Sequence, residues 1–262
     1  MPKELKENSG IVLGDASHFW TINDSGNANE VYQIDTNGTI TNTIEITNLE
    51  NNDWEDITKD DEGALYIGDF GNNDNTRNDL GIYKIAKTDL TKTAVTSVQK
   101  TTFVYPEQES FPPKKKNLLY DCEAFFELDG HFYLFTKNRS KGFDGTTLLY
   151  KIPNREGHFN AQLLGSYKTC DDYATCSITS AAISPNKKQI VLLSHSKLWL
   201  IENFKDDDFL NGTITELPLN HNSQKEGICF KDNDKLIITD ERVKKKDGKL
   251  YEVSLQQLKT KP

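Results

Sequence analysis

Five polar residues recur along the 262-residue chain at spacings of 46, 68, 56 and 47 residues. In chain order they are Ser9, Glu55, Glu123, Thr179 and Glu226. Carboxylates gathered in a small space raise one another's pKa, and each buried charge without a partner is costly. Oxygen ligands of this kind favour Ca²⁺ over zinc or copper. We therefore predict a Ca²⁺ site. The alternative is that each glutamate merely caps its own structural unit and forms hydrogen bonds with neighbouring backbone groups.

Each of the five residues opens a unit of short predicted β-strands. The second unit, for example, continues through ALYIGDFG, LGIYKIA and SVQKTTFVY. These segments are rich in β-branched and aromatic residues, and Gly, Asn, Asp or Pro bounds most of them. Four-stranded units of about 40–50 residues are typical of β-propeller blades. The sequence thus predicts an all-β, five-bladed propeller with four-stranded antiparallel blades, forming a single domain over residues 1–262.

The spacing of the units also indicates how the ring closes. The longest interval contains an insertion, YPEQESFPPKKKN, and the fifth unit lacks a fourth strand. We expect the residues before Ser9 to supply that strand and close the ring. Six blades are the alternative, which requires a further unit within residues 86–120, where one strand is recognised. Because first strands line the channel of a propeller, the five recurring residues should form a ring there, with Ser180 as the alternative to Thr179.

Polar clusters at the ends of the second strands form a second candidate set, because sites are often built on strand-end loops. For a phosphohydrolase, Asp24 or Asp69 would orient or deprotonate water, with His195 as an alternative base. Arg77, Lys137 and Arg139 would neutralise phosphate charge. Glu241 belongs to the same strand-end set and is assigned to substrate binding. Ordinary turn chemistry is the alternative explanation for these clusters.

Composition narrows the classes of partner. The chain carries 31 Lys and Arg against 40 Asp and Glu, a net charge of −9, which argues against nucleic acid. No run approaches the roughly 18 apolar residues of a membrane span, so we expect no transmembrane segment. The acidity fits solubility, attraction of cations, or a bound cation that holds an anion. We expect a monomer that binds a small anionic substrate or a surface ligand.

The four cysteines lack zinc-site spacing. Cys170 and Cys176 flank a short loop and form a plausible disulfide, whereas Cys122 and Cys229 lie in apolar strand patterns and are predicted to be buried thiols. No signal sequence is recognised in this chain. We nevertheless expect an exported protein, whether periplasmic, an outer-surface lipoprotein or secreted.

The recurring residues resemble the Ser, Glu, Glu, Ser, Glu series of the calcium-activated nucleotidases, the apyrase family. The strings WEDIT, CEAFF, TSAAISPN and KEGICF lie where that family has similar patterns. The resemblance spans nearly the whole chain and implies a five-bladed propeller with Ca²⁺ in its channel, which hydrolyses nucleoside di- and triphosphates. It implies that Ser9, Glu55, Glu123, Thr179 and Glu226 hold the ion.

The chain also departs from that family. Asn23-Asp24-Ser25-Gly26 lacks the arginine of the family's Asp-Asp-Arg-Thr-Gly, and Asn138-Arg139-Ser140 retains one arginine of a pair. The strings NDSG, DWED and GDFGNN resemble more closely a group of uncharacterised bacterial exported propellers. Two hypotheses follow: a Ca²⁺-dependent phosphohydrolase, or a non-catalytic propeller with structural Ca²⁺ that binds a glycan, peptide or protein partner. Trp20, Trp54 and Tyr173 are the candidate glycan platform.

Overall fold

Five β-sheets surround a central channel in the computed structural model, which describes residues 1–244 and 247–260. The first blade contains β1 (Asn8–Leu13), β2 (His18–Asn23), β3 (Glu30–Asp35) and β4 (Ile40–Ile46). The second contains β5 (Trp54–Lys59), β6 (Leu65–Asp69), β7 (Gly81–Ile85) and β9 (Gln99–Val104), while β8 (Ala94–Val95) pairs parallel with β4. The third contains β10 (Asp121–Leu128), β11 (His131–Lys137), β12 (Thr146–Pro153) and β14 (Gln162–Lys168).

The remaining two blades complete the ring. The fourth contains β15 (Ser180–Ile183), β16 (Gln189–Leu193), β17 (Lys197–Glu202) and β18 (Thr213–Pro218). The fifth contains β19 (Lys225–Phe230), β20 (Lys235–Asp240) and β21 (Leu250–Ser254). The strand β13 (Gly157–Asn160) leaves the third blade to pair parallel with β9 of the second. The five-bladed prediction is therefore confirmed, and residues 86–120 hold no sixth blade.

Helices are few and short among the described residues. The α-helices are α1 (Tyr173–Cys176) and α2 (Leu255–Thr260). The 3₁₀ turns are Lys3–Leu5, Lys87–Asp89, Lys115–Asn117 and Phe209–Asn211. None of these helices is long and apolar enough to cross a membrane.

Apolar side chains pack into five clusters, one between each pair of adjacent blades. Strand β10 shows why. Phe125 packs towards the second blade and Phe126 towards the fourth, because successive side chains of a strand point to opposite faces. The inner strands of the blades are therefore buried on both faces, which explains their nearly continuous apolar runs.

The amino-terminal segment closes the ring in a different way from the prediction. It forms the Lys3–Leu5 turn rather than a fourth strand of the fifth blade, whose described sheet has three strands. Leu5 packs into the cluster between the fifth and first blades. The amide of Arg242 also donates to the carbonyl of Lys6 at 2.9 Å. The amino group of Met1 donates to the carbonyl of Gly248 at 2.7 Å, so closure rests on packing and on isolated hydrogen bonds rather than on a strand pair.

The four cysteines form one disulfide and leave two buried thiols, as the sequence predicts. Cys170 and Cys176 are joined by a disulfide across the loop that contains α1. Cys122 and Cys229 are buried thiols, and each lies on an inner strand.

Candidate functional site at one mouth of the channel

A cavity of about 250 Å³ opens at the channel mouth where the inner strands begin. We call it the front cavity. It is lined by Glu7, Asn8, Ser9, Asp24, Glu55, Asn73, Glu123, Lys137, Arg139, Gln224, Glu226 and Glu241. Six carboxylates thus face two basic side chains. This excess of negative charge attracts cations and repels a free anion.

β-Bulges position the three recurring glutamates. The pairing of each inner strand with its neighbour skips one residue at Glu55, at Glu123 and at Glu226. A bulge leaves its extra residue outside the ladder and turns its side chain to a new direction. The three carboxyl groups consequently reach the same cavity from three different blades.

A second acidic position lies two residues before the first in two of the blades. Asp53 precedes Glu55, and Asp121 precedes Glu123. One carboxylate oxygen of each aspartate lies within 4.8 Å of one on the glutamate two residues later. Sequence reasoning missed Asp53 and Asp121, although the repeated Asp-x-Glu spacing could have indicated them. Glu7 and Gln224 occupy the corresponding positions before Ser9 and Glu226 and line the cavity, whereas Asp53 and Asp121 lie behind its lining.

Asp24, Asp53 and Glu55 form a compact cluster, which we call the open triad. One carboxylate oxygen from each lies within 4.8 Å of the others. In the described ranges, 1–244 and 247–260, none of the three forms an ion pair. Burial raises the pKa of Asp24 to about 7, with the charge of Asp53 contributing. Burial, then the charges of Glu123 and Asp24, raises the pKa of Glu55 well above its usual value.

Gly71 forms one wall of the open triad. A Cβ atom at this position would overlap Oε1 of Glu55 and would lie 2.5 Å from Oδ2 of Asp53. The two carboxylates therefore occupy space that any other residue would fill. Gly71 belongs to the GDFGNN string, where sequence reasoning assigned roles to other residues and treated the glycine as part of a turn.

Glu123 and Asp121 have cationic partners, which distinguishes them from the open triad. Lys137 Nζ lies 3.1 Å from Glu123, and Arg139 contacts both Glu123 at 2.5 Å and Asp121 at 2.6 Å. Burial opposes ionisation of Glu123, but Lys137 and Arg139 outweigh it and hold its pKa below the usual value. Glu123 is therefore a carboxylate whose charge is already balanced, although it also lies near Glu55 and Asp121.

The opposite side of the cavity is formed by the fifth blade and its neighbours. His195 Nε2 lies 3.1 Å from Oε1 of Glu226. No hydrogen-bond donor reaches Oε2 of Glu226 from the residues that the structure describes. Burial raises the pKa of Glu241, which lines the same side. These two carboxylates face the cavity without a lysine or arginine partner among those residues.

Four other predicted residues lie outside the lining. Thr179 donates its hydroxyl to the carbonyl of Lys225 at 2.7 Å, whereas Ser180 donates to Asp56 deeper in the channel at 3.1 Å. Asp69 and Arg77 pair with each other at 2.9 Å behind the cavity wall. Arg77 also donates to the carbonyl of Gly71 at 2.9 Å, so it supports that wall.

The candidate aromatic platform is not assembled at this mouth. Trp54 is fully buried in an inter-blade cluster, and Trp20 is buried and lines a different cavity at the other end of the channel. Tyr173 is exposed, and its hydroxyl accepts a hydrogen bond from Arg139 at 2.6 Å. A stacked sugar would therefore meet one aromatic side chain here.

Comparisons with known proteins support the fold. No family model matches the chain, and no curated protein matches it. The structure is similar to selenomethionine-substituted virginiamycin B lyase from Staphylococcus aureus, with a TM-score of 0.43 and 17% identity over 97% of this chain and 69% of that one. It is also similar to the PQQ-bound form of aldose sugar dehydrogenase from Streptomyces coelicolor, with a TM-score of 0.54 and 9% identity over 95% and 94% of the chains. The second likeness agrees with a propeller fold, and the resemblance to calcium-activated nucleotidases stays a prediction.

Proposed function

We propose that the chain is a Ca²⁺-binding propeller whose front cavity hydrolyses a phosphate ester or anhydride. The open triad carries the proposal, since three carboxylates share a partly buried site and form no ion pair with any residue that the structure describes. Their oxygen atoms are ligands that Ca²⁺ prefers. Asp24, Asp53 and Glu55 would hold the ion, and Ser9 lies beside Glu55 with its hydroxyl donated to that residue's carbonyl. When bound, the ion would supply positive charge to phosphoryl oxygens.

The remaining lining residues fit complementary roles. Lys137 and Arg139 line the same cavity and would meet phosphate oxygens beside their present partners. Glu226, held through Oε1 by His195, would accept a proton at Oε2 from an attacking water. Asp24 thus moves from the predicted catalytic role to ion binding. Asp69 and Arg77 would act indirectly, by fixing the wall at Gly71.

One observation favours the non-catalytic alternative. Lys137 and Arg139 are already paired with Glu123 and Asp121, so they offer less free charge to a phosphate than unpaired cations would. In that case the ion would stabilise the channel mouth, and an exposed face would bind the partner. Export is part of both proposals. The Cys170–Cys176 disulfide supports it, because disulfides persist mainly in oxidising compartments.

The two functions are separated by measuring phosphate release from a panel of nucleotides and other phosphate esters, with Ca²⁺ or with a chelator. We expect Ca²⁺-dependent release that Glu55→Gln abolishes. Glu109→Gln, at an exposed loop position, is the matched control and should retain activity. Calorimetric Ca²⁺ binding without turnover on any ester would refute the hydrolase and leave the non-catalytic propeller. Absence of Ca²⁺ binding would refute both.

A further inference from the structure

A second, larger cavity lies at the opposite mouth of the channel, where the inner strands end. We call it the back cavity. Its volume is about 480 Å³, within the range of roughly 300–1,000 Å³ usual for small-molecule sites. The lining is largely apolar and includes Leu13, Trp20, Leu90, Phe126, Ile183 and Phe230. No residue is shared between the linings of the two cavities.

The buried side chain of Asp56 separates the two cavities. It accepts hydrogen bonds from the amide of Phe125 at 3.3 Å and from the hydroxyl of Ser180 at 3.1 Å, which belong to two other blades. A Cβ on Gly10 of the first blade would lie 2.6 Å from Asp56 Oδ1. Asp56 therefore fills the channel between the mouths, and a ligand in the back cavity would not reach the open triad.

The charges around the back cavity are unevenly matched. Of its carboxylates, Asp60 pairs with Lys84, Asp61 pairs with Lys187, and Glu62 is exposed at the rim. Glu127 accepts hydrogen bonds from Gly130 and Asn154.

Two lysines of the lining lack such partners. Neither Lys59 nor Lys87 forms an ion pair or a side-chain hydrogen bond within residues 1–244 and 247–260. Burial lowers the pKa of Lys59, and the nearby Lys87 ammonium lowers it further, against the opposing effects of Cys229 and Asp61. Two neighbouring cations at an apolar cavity leave a place for an anion.

We propose that the back cavity binds an amphipathic carboxylic acid, with its carboxylate on Lys59 and Lys87 and its apolar tail among the aromatic and aliphatic side chains. The tail removes apolar surface from water, which favours binding. The carboxylate forms charge-assisted hydrogen bonds with both ammonium groups, that of Lys59 half-buried and that of Lys87 exposed at the rim. The site needs no metal ion, so it is independent of the function proposed for the front cavity.

The test is a titration of the full chain, in the presence of a chelator, with decanoate, decanol and decylamine. Binding is followed by calorimetry and by tryptophan fluorescence, to which Trp20 contributes from the cavity lining. We expect decanoate to bind at least about tenfold more tightly than decanol, and decylamine more weakly than either. Equal affinity for decanoate and decanol, or no binding of decanoate, would overturn the proposal.

Two further measurements locate the ligand. Lys59→Met should weaken decanoate binding about tenfold or more and leave decanol binding unchanged, whereas Lys114→Met, in an exposed loop, should change neither. In the unmodified protein, decanoate should slow the reaction of Cys229 with a small thiol reagent, because Cys229 lines the cavity and Cys122 does not. Unchanged decanoate affinity in Lys59→Met, or equal protection of both thiols, would place the ligand elsewhere and refute the site.

Discussion

Glu55 and Glu123 occupy equivalent blade positions, yet the same substitution should change the stability of the protein in opposite directions. Glu55 belongs to the open triad and has no ion-pair partner in the described part of the chain. Glutamine at position 55 replaces a carboxyl group whose ionisation is costly in this buried, acidic site, and its new amide hydrogens would face the carboxylates of Asp24 and Asp53. In the absence of Ca²⁺ at pH 8, we expect Glu55→Gln to stabilise the fold by about 2 kcal/mol.

Glu123→Gln is the matched control because its charge is balanced by Lys137 and Arg139. Removing one partner of a buried pair leaves the other partner uncompensated and destabilises a fold by about 3 kcal/mol. At roughly 2–4 °C per kcal/mol for a domain of this size, the melting temperature should rise about 4–8 °C in Glu55→Gln and fall about 6–12 °C in Glu123→Gln.

Calcium should make the unmodified protein more stable than Glu55→Gln, the reverse of the order expected without the ion. A ligand at 100 times its dissociation constant stabilises the folded state by about 2.7 kcal/mol. The unmodified protein should gain this stabilisation, and Glu55→Gln should gain almost none. The assay is thermal unfolding followed by circular dichroism, with a chelator and then with Ca²⁺. A Glu55→Gln protein that is less stable than the unmodified protein in chelator, or that keeps the full Ca²⁺ response, would refute this reasoning.

Three further predictions test the site and its surroundings. Gly71→Ala should weaken Ca²⁺ binding at least about tenfold in calorimetry, since the added Cβ would displace Glu55 and Asp53. Gly81→Ala is the control and should bind Ca²⁺ normally, because the nearest atom would lie 3.4 Å from the added Cβ. The metal-free melting temperature should fall as the pH rises from 5.5 to 8, because the folded state binds more protons than the unfolded state at Asp24, whose pKa is raised to about 7. Ca²⁺ should flatten this dependence. A metal-free melting temperature that rises over the interval would contradict the direction of the pKa shift. The double variant Cys170→Ser and Cys176→Ser should lose about 2 kcal/mol of folding stability, the loss expected from the chain entropy of so short a loop. This loss corresponds to a melting temperature lower by about 4–8 °C. An unchanged melting temperature would show that this loop is already ordered without the disulfide.

The blade architecture was predictable because it is encoded by repetition. Ser9, Glu55, Glu123 and Glu226 share an inner-strand position, and spacing alone brought them to one mouth. Thr179 follows the same spacing, but its hydroxyl bonds a neighbouring strand rather than facing the cavity. Spacing fixes the blade and the depth of a residue, whereas the direction of its side chain depends on the local register.

Other features of the site had no signal in the spacing of single residues. The amino-terminal segment was expected to close the ring by pairing, and it closes the ring through the side chain of Leu5. Gly71 reads as a turn residue, while its importance lies in the volume it leaves for Glu55 and Asp53. Such effects depend on which atoms from distant segments come into contact, and a single sequence does not specify those contacts without the fold.

Ion pairing, rather than acidity, distinguishes the parts of the front cavity. Counting carboxylates would assign the ion equally to Glu55 and to Glu123, since both belong to acidic clusters. The strand that follows each glutamate decides between them. Strand β11 ends at Lys137, and Arg139 lies just beyond it; both side chains form ion pairs with Glu123. Strand β6 instead ends at Asp69, which forms an ion pair with the nearby Arg77. The open triad therefore has no ion-pair partner in the described part of the chain, because Arg77 is paired with Asp69 behind it, and a bound cation is the simplest way to favour ionisation of its carboxyl groups.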